Sequence, residues 1–242
     1  MVNGCNGKMG NIVAELVDKH DNMVLKCGVD KENTGYLTYP VYTDLNKISE
    51  NPDVIIDFSV PTSTFNVLEY AKKNSIPVVI ATTGFTVEEE KKIEEYSKFI
   101  PIFKSSNMSF SINMFQKILK EIVPKLKDTD IEIIETHHNR KIDSPSGTAQ
   151  MLGNTINEAL DGDYKFKYDR HEKRGEKEIG ITSIRGGNIV GEHTVMFFGD
   201  SETFEIKHTS YSRNVFAEGA IKATEFIINQ KNGLYNMDDL IK

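Results

Sequence analysis

The segment of residues 135–149, ETHHNRKIDSPSGTA, combines side chains that bind anions with side chains that transfer protons. It contains two of the six histidines, His137 and His138, and two cations, Arg140 and Lys141. An imidazole changes its charge near neutral pH and is the commonest general acid or base, while cations attract a carboxylate or phosphate. A basic surface loop is the alternative interpretation, and it would be preferred for any one of these residues alone. Adjacent histidines, however, rarely serve a core together, so the segment predicts an anion pocket with a proton-transferring group.

A strand and a helix must position this segment. Residues 130–135 alternate polar and apolar side chains, as in a strand, whereas apolar residues recur at helical spacing over 149–160. The linking sequence SPSGT has the features of a helix N-terminus, with Ser or Thr as the cap and Pro145 in the first turn. Backbone N–H groups at Gly147 and Thr148 then point out of the first turn, where such groups bind anions.

Three glycines lie close to the start of the chain. Gly4, Gly7 and Gly10 are spaced as G-x-x-G-x-x-G, ahead of a helical stretch and a strand predicted over residues 23–30. This order indicates a βαβ unit, in which residues without a Cβ let the backbone approach a pyrophosphate and the helix dipole faces it. A glycine-rich turn alone is more often only a tight turn, so the motif needs support from elsewhere.

The end of the second predicted strand gives that support. Asp30 follows the last glycine by about 20 residues, which is where an acid hydrogen-bonds the adenine ribose of a dinucleotide. Lys31 comes next and can pair with a 2′-phosphate, although a solvated turn residue is an equally good interpretation. The N-terminal unit therefore predicts a dinucleotide site.

Three short apolar runs follow, at residues 54–59, 77–85 and 100–108, and each ends in small polar residues. Such runs are typical of buried parallel strands, whose carboxyl ends line the ligand crevice of an open α/β sheet. The charged stretch of residues 87–99 predicts a surface helix. The first hundred residues thus indicate an α/β, Rossmann-like parallel-sheet dinucleotide-binding domain.

The second half of the chain has a different pattern. A helical segment begins at residue 109, and strands are predicted over 178–185, 188–198 and 202–210. Gly-containing turns join these strands, so we expect consecutive strands to pair antiparallel in an open mixed sheet of an α+β substrate-binding domain. The uncovered face of such a sheet needs cover, which makes this the expected oligomerisation domain. A helix over 217–229 is expected to return to the first domain. The predicted domains are residues 1–108 with 217–242, and residues 109–216.

Composition and charge limit the class of partner. The chain has 242 residues, a net charge of −7 and 38% hydrophobic residues, which is ordinary for a globular protein. The acidic balance argues against nucleic acid or an anionic membrane as partner. No apolar run approaches the ~20 residues that span a bilayer and no leader is recognisable, so a cytoplasmic location is expected. Cys5 and Cys27 lack the spacing of a disulfide framework or metal site and are expected to be buried thiols, with no metal bound.

The His-His segment resembles the signature of the 4-hydroxy-tetrahydrodipicolinate reductase (dihydrodipicolinate reductase) family. That signature runs E-x-H-H-x-x-K-x-D-x-P-S-G-T-A, and residues 135–149 match every fixed position. The resemblance extends along the whole chain. It implies that NADPH or NADH reduces (2S,4S)-4-hydroxy-tetrahydrodipicolinate, a cyclic dicarboxylate of the diaminopimelate route to lysine, and that the protein is a homotetramer built through the open sheet.

The resemblance also implies roles for individual residues. His137 is expected to donate or accept a proton, Lys141 to be a second proton donor and carboxylate partner, and His138 to contact the substrate. Gly147 and Thr148 are expected to bind a substrate carboxylate. The expected cofactor contacts are Gly4, Cys5, Asn6, Gly7, Lys8, Met9, Asp30, Lys31, Ala81, Thr82, Thr83, Ser105, Ser106, Asn107 and Met108.

Some features depart from the family or leave alternatives open. Ala81 and Ser105 stand where Gly and Ala are frequent, and the strand before Gly4 is shorter than usual. His193 and His208 fall in predicted strands and, by spacing alone, are expected to be mainly structural. Two other classes remain open, namely another two-domain nicotinamide-dependent amino-acid dehydrogenase and a dinucleotide-binding sensor without catalysis.

Overall fold

The computed structural model describes residues 1–242, which form two compact units. Unit 1 comprises residues 1–110 and 214–242, and unit 2 comprises residues 111–213. The borders expected from the sequence, 108/109 and 216/217, lie within three residues of these two borders.

Twelve strands and seven α-helices make up the two units. The strands are β1 (Val2–Asn3), β2 (Gly28–Val29), β3 (Val41–Tyr42), β4 (Ile55–Asp57), β5 (Val78–Ile80), β6 (Pro101–Lys104), β7 (Asp130–His137), β8 (Lys165–Tyr168), β9 (Glu178–Arg185), β10 (Gly191–Phe198), β11 (Thr203–Ser210) and β12 (Gly233–Tyr235). The helices are α1 (Lys8–Asp18), α2 (Pro61–Asn74), α3 (Val87–Ser97), α4 (Phe110–Ile122), α5 (Gly147–Ala159), α6 (Asn214–Ile227) and α7 (Met237–Leu240). None of these helices has both the length and the apolar composition needed to cross a membrane.

Unit 1 is built on a parallel sheet of seven strands in the order β12-β6-β5-β4-β1-β2-β3. The central strands β4 and β5 are fully buried and, apart from Asp57, apolar, as expected where both faces of a parallel sheet are covered, which confirms the predicted Rossmann-like fold. Ile55, Val78 and Ile102, from β4, β5 and β6, belong to one core cluster. Cys5 and Cys27 are buried free thiols, as predicted.

Unit 2 contains a mixed sheet of five strands in the order β11-β10-β7-β9-β8. β7 is central, and it pairs with β10 antiparallel and with β9 parallel. Alternate residues of β7, including Ile131 and Ile133, are fully buried in a core that also contains Leu152 and Ile156 of α5. The buried face of β7 ends in Glu135 and His137, so the same alternation that forms the core places these two side chains.

Two predictions about the strands are wrong. β9 and β10 do not pair with each other, because the chain after β9 crosses the end of β7, where Gly186 N donates to His137 O and His138 N donates to Ile189 O. The strand predicted over residues 23–30 is reduced to β2, since β1 offers only two residues for pairing. β3, β8 and β12 are strands that the sequence pattern did not predict.

Candidate active site

The segment of residues 135–149 joins β7 to α5 in unit 2, as predicted. Ser146 caps the helix, because its backbone is extended and its Oγ accepts a hydrogen bond from Ala149 N at 3.1 Å. Pro145 therefore lies before the cap and not, as predicted, in the first turn. The first turn of α5 contains no acidic residue, so its positive dipole end is available to an anion.

Glu135 is the electrostatic centre of this segment. Its carboxylate is fully buried and accepts a bidentate pair of hydrogen bonds from Arg185, at 2.7 and 2.8 Å. It also accepts a hydrogen bond from Ser146 N at 3.0 Å. Burial by itself raises the pKa of Glu135, but the hydrogen bonds from His137, Arg185 and Ser146 outweigh it and hold this pKa well below its ordinary value.

The ring of His137 is oriented by that carboxylate. His137 Nδ1 lies 2.5 Å from Glu135 Oε2. Because an ionised carboxylate only accepts hydrogen bonds, Nδ1 carries a proton and Nε2 is the nitrogen that can exchange one. Gly191 makes room beside Nε2, since a Cβ there would lie 3.0 Å from this atom. The arrangement resembles a carboxylate-histidine pair that sets the tautomer of a general acid or base.

His193 is a second buried histidine that packs beside His137. Their ring centroids are 5.2 Å apart in an edge-to-face arrangement, and His193 Nε2 lies 3.1 Å from Ser146 Oγ. Burial lowers the pKa of His193 to about 4, and the charge of His137 adds to this effect. His193 is therefore neutral near pH 7 and supports the helix cap and the His137 ring.

Lys141 lies in the loop that follows β7. Its Nζ is 2.8 Å from Asp143 Oδ1, and this contact lowers the pKa of Asp143. Arg185 Nη2 also donates to Asp143 O at 2.7 Å, so the guanidinium that binds Glu135 holds the same loop. Burial and the nearby charge of Arg140 lower the pKa of His138.

The sequence patterns assign no role to Glu135 or Arg185. These residues are 50 positions apart, and they meet because β7 and β9 pair parallel in a register that sets Arg185 opposite His137. The available signal was Glu135 itself, an acid on the apolar face of a predicted strand. Such a side chain requires a buried cation or several donors.

Gly147 and Thr148, the predicted anion-binding residues, are the first two residues of α5. Gly147 is exposed, and a Cβ at this position would meet no atom within 4 Å. The start of the helix is thus exposed, and the Asp143 carboxylate accepts a hydrogen bond from Gly147 there, in the place that a ligand carboxylate would take.

The glycine turn of unit 1 connects β1 to α1, as predicted. Gly4 has a φ of 80°, and a Cβ there would lie 2.3 Å from Phe58 O. A Cβ at Gly10 would lie 2.2 Å from Gly4 O, so only glycine permits this closed turn. Gly7 is the N-cap of α1 and provides no side-chain cap. Exposed Lys8 begins the helix, so the turn has the open N–H groups and positive charge that a pyrophosphate requires.

Asp30 lies beside this turn at the end of β2. Its Oδ2 accepts a hydrogen bond from Asn6 N at 2.8 Å, and its Oδ1 accepts one from Lys31 N at 2.8 Å. Each carboxylate oxygen has further acceptor capacity for a ribose hydroxyl. Lys31 is exposed. The residues present therefore fit the ribose and phosphates of a dinucleotide.

The other predicted cofactor contacts divide into exposed and buried side chains. Thr83 and Ser106 are exposed. Cys5 and Met108 are buried in unit 1, and Thr82 is 4% exposed, which leaves only the backbone of these three residues for a ligand. Intermediate exposure is found for Asn6, Met9, Ala81, Ser105 and Asn107.

Two family models together match nearly the whole chain. The model described as "Dihydrodipicolinate reductase, N-terminus" matches residues 1–108, and the model described as "Dihydrodipicolinate reductase, C-terminus" matches residues 111–241. Their common border falls at the border between the two structural units.

Comparisons with individual proteins indicate the same family. The chain is 47% identical over 245 residues to a 4-hydroxy-tetrahydrodipicolinate reductase of Clostridium novyi, covering 100% of the chain and 97% of the relative. It is 49% identical, with the same coverage, to the enzyme of that name from Caldanaerobacter subterraneus subsp. tengcongensis. A dipicolinate-bound dihydrodipicolinate reductase from Paenisporosarcina sp. TG-14 superimposes with a TM-score of 0.80 at 26% identity, covering 97% of this chain and 96% of that one. As its His-His signature predicts, the chain belongs to the dihydrodipicolinate reductase family.

Proposed function

We propose that this protein catalyses the NAD(P)H-dependent reduction of 4-hydroxy-tetrahydrodipicolinate to tetrahydrodipicolinate, with release of water, in the diaminopimelate route to lysine. The observation that supports this most directly is the carboxylate-oriented His137, which lies on the loop that leads to the open N-terminus of α5. A cyclic dicarboxylate needs an anion site and a proton source, and unit 2 has residues for both. Family membership supports NADH or NADPH as the cofactor.

The proposed site residues of unit 2 then have distinct roles. The backbone at Gly147 and Thr148 binds one substrate carboxylate at the helix dipole, and His138 contacts the substrate. His137 transfers a proton through Nε2, because Glu135 holds Nδ1. Lys141 exchanges Asp143 for a substrate carboxylate and is a second proton donor.

Unit 1 binds and orients the dinucleotide. The glycine turn and the start of α1 receive the pyrophosphate, and Asp30 receives the adenine ribose. When bound, NAD(P)H supplies the hydride. The protein's own contribution is therefore to position the two reactants and to transfer protons.

A steady-state assay with freshly generated substrate and each cofactor tests the proposed function. Substrate-dependent loss of the reduced-nicotinamide absorbance is expected with both cofactors. Turnover of amino acids without turnover of this substrate would indicate an amino-acid dehydrogenase instead. Binding of NADPH with no turnover of any substrate would indicate a sensor.

Replacement of Lys31 by alanine is expected to raise the KM for NADPH by roughly threefold to fivefold and to leave the KM for NADH nearly unchanged. The effect is modest because an exposed lysine is well solvated. Lys19→Ala is the matched control, since it removes the same charge at the opposite end of α1. Equal changes for both cofactors in Lys31→Ala would show that Lys31 does not face the 2′-phosphate.

Replacement of Gly147 by valine is expected to weaken substrate and pyridine-2,6-dicarboxylate binding by roughly tenfold or more, since a side chain there blocks the approach of a carboxylate to the helix N–H groups. The fold is expected to persist because a Cβ at Gly147 meets no atom within 4 Å. Gly147→Ala should give a smaller effect. Isothermal titration measures both ligands. Simultaneous loss of NADPH affinity would point to global unfolding or to a wrong site, and unchanged dicarboxylate binding would place the anion site elsewhere.

We also propose that the protein is a homotetramer built through the outer face of the five-stranded sheet, and that it is located in the cytoplasm. Ile184 and Phe198 leave 47% and 37% of their surface exposed on β9 and β10. Apolar side chains on an open sheet face favour cover by a partner. Light scattering coupled to size-exclusion chromatography measures the assembly directly.

A further inference from the structure

Asp57 is a buried carboxylate at the carboxyl end of β4 in unit 1, and the mechanism above gives it no role. Its side chain is 0% exposed, and no cation is among its hydrogen-bond partners. Burial of a carboxylate is costly unless strong hydrogen bonds replace its hydration. Burial raises the pKa of Asp57, and its four hydrogen bonds oppose that shift.

Four side chains donate to this carboxylate. Asn3 Nδ2 and Ser59 Oγ donate to Oδ1 at 2.7 and 2.6 Å. Thr64 Oγ1 and Thr82 Oγ1 donate to Oδ2 at 2.6 and 3.0 Å. The donors come from β1, from the segment after β4, from α2 and from the segment after β5. Asp57 therefore links three adjacent parallel strands of the sheet at their carboxyl ends.

Two of the linked segments, those that follow β1 and β5, contain predicted cofactor contacts. Asn3 directly precedes Gly4, the first glycine of the turn. The segment after β4 packs against that glycine, since a Cβ on Gly4 would lie 2.3 Å from Phe58 O. Thr82 directly precedes Thr83, whose side chain is exposed. A shift of Asp57 would thus be transmitted to two cofactor-binding segments at once.

Of the two threonine hydroxyls, that of Thr82 has no hydrogen-bond acceptor other than Asp57. Thr82 Oγ1 accepts the Ser59 N–H at 2.8 Å, so its single proton must be donated elsewhere, and Asp57 Oδ2 receives it. Thr64 differs, because its hydroxyl also lies 3.3 Å from Val60 O and has a second acceptor. An asparagine at position 57 replaces one carboxylate oxygen by an NH2 group and can no longer accept from all four donors, and Thr82 is the threonine without an alternative acceptor.

We propose that Asp57 is a positioning residue for dinucleotide binding, which holds the segment of residues 81–84 and the glycine turn in the geometry that receives the cofactor. This inference rests on the proposed function, in that it assigns the dinucleotide to unit 1. Asp57 acts through Asn3, Ser59 and Thr82 and does not touch the ligand itself.

Fluorescence titration with NADPH and amide hydrogen exchange on the cofactor-free protein test the proposal. Asp57→Asn is expected to raise the Kd for NADPH by about tenfold, because hydrogen bonds to a charged group are lost. The Ser59 amide, which donates to Thr82 Oγ1, is expected to exchange faster. The Kd for pyridine-2,6-dicarboxylate is expected to stay unchanged. Thr82→Val should reproduce both effects, and it decides the question if Asp57→Asn does not fold.

Ser63→Ala is the matched control, because Ser63 bonds to Asn3 and not to Asp57. It is expected to bind NADPH like the wild type. Unchanged or tighter NADPH binding in Asp57→Asn and Thr82→Val would overturn the proposal. So would an equal loss of affinity for both ligands, which would mean general destabilisation. Failure of the wild type to bind NADPH would instead contradict the proposed function.

Discussion

Replacement of His137 by glutamine is expected to lower kcat by roughly 10²–10⁴-fold, the range for a positioned acid or base, with little change in NADPH affinity. Glu135 occupies Nδ1, so the reaction depends on Nε2, and glutamine cannot gain or lose a proton near neutral pH. Steady-state kinetics across a pH series measure the effect. The pH profile of kcat/KM should lose one limb in this variant.

Two other histidines of unit 2 provide controls for this prediction. His171 is exposed and distant in sequence from the loop, so His171→Gln should have wild-type kinetics. His138→Gln should raise KM more than it lowers kcat, because its proposed role is substrate contact. A near-normal kcat in His137→Gln would contradict its catalytic role and support the alternative interpretation of this segment as a basic surface loop.

The local features of the site were predictable because they depend on neighbouring residues. Alternation over residues 130–135 predicted β7, and the sequence SPSGT predicted the capped start of α5. In the same way, the spacing of Gly4, Gly7 and Gly10 predicted a tight turn, and the structure shows that a Cβ at Gly4 or Gly10 would clash with the backbone. Periodicity and capping are encoded within a few residues, so the sequence alone reveals them.

The contacts that orient His137 were not predictable in this way. The Glu135–Arg185 pair requires the parallel register of β7 and β9, whereas turn composition predicted antiparallel pairing of consecutive strands. His193, expected to be an ordinary strand histidine, contacts His137 because β10 pairs with β7 on the other side. Which strands become neighbours depends on packing of the whole unit, and residue spacing does not contain that information.

In unit 1, too, the side-chain contacts at the ends of the strands could not be predicted from the sequence. Thr82 and Thr83 are adjacent and chemically identical, yet one is buried against Asp57 and the other is exposed. The apolar run that precedes them predicted β5 and its polar end. It could not show which hydroxyl faces inward, because that depends on the donors and acceptors of β1 and β4.

Replacement of Arg185 by methionine is expected to lower the free energy of unfolding by about 3 kcal/mol at pH 7. This value is at the lower end of the range for breaking a buried ion pair, because the Arg185 side chain is 20% exposed. The physical cause is the Glu135 carboxylate, which stays fully buried and loses two of its hydrogen bonds. Calorimetry should show a fall in Tm of roughly 6–12 °C. A variant as stable as the wild type would show that the other donors are sufficient for Glu135.

The pH dependence of this difference identifies its cause. The folded-state pKa of Glu135 is depressed, so its contribution is present above the unfolded value of 4.5 and is lost as the pH falls below it. Arg185→Met removes the Arg185 part of that depression, while the hydrogen bonds from His137 and Ser146 remain, so the gap in stability from the wild type should narrow in acid. In the double variant Glu135→Gln/Arg185→Met no buried charge remains, so much of the stability should return. Its kcat should nevertheless stay low, because His137 Nδ1 then lacks the carboxylate that orients the ring.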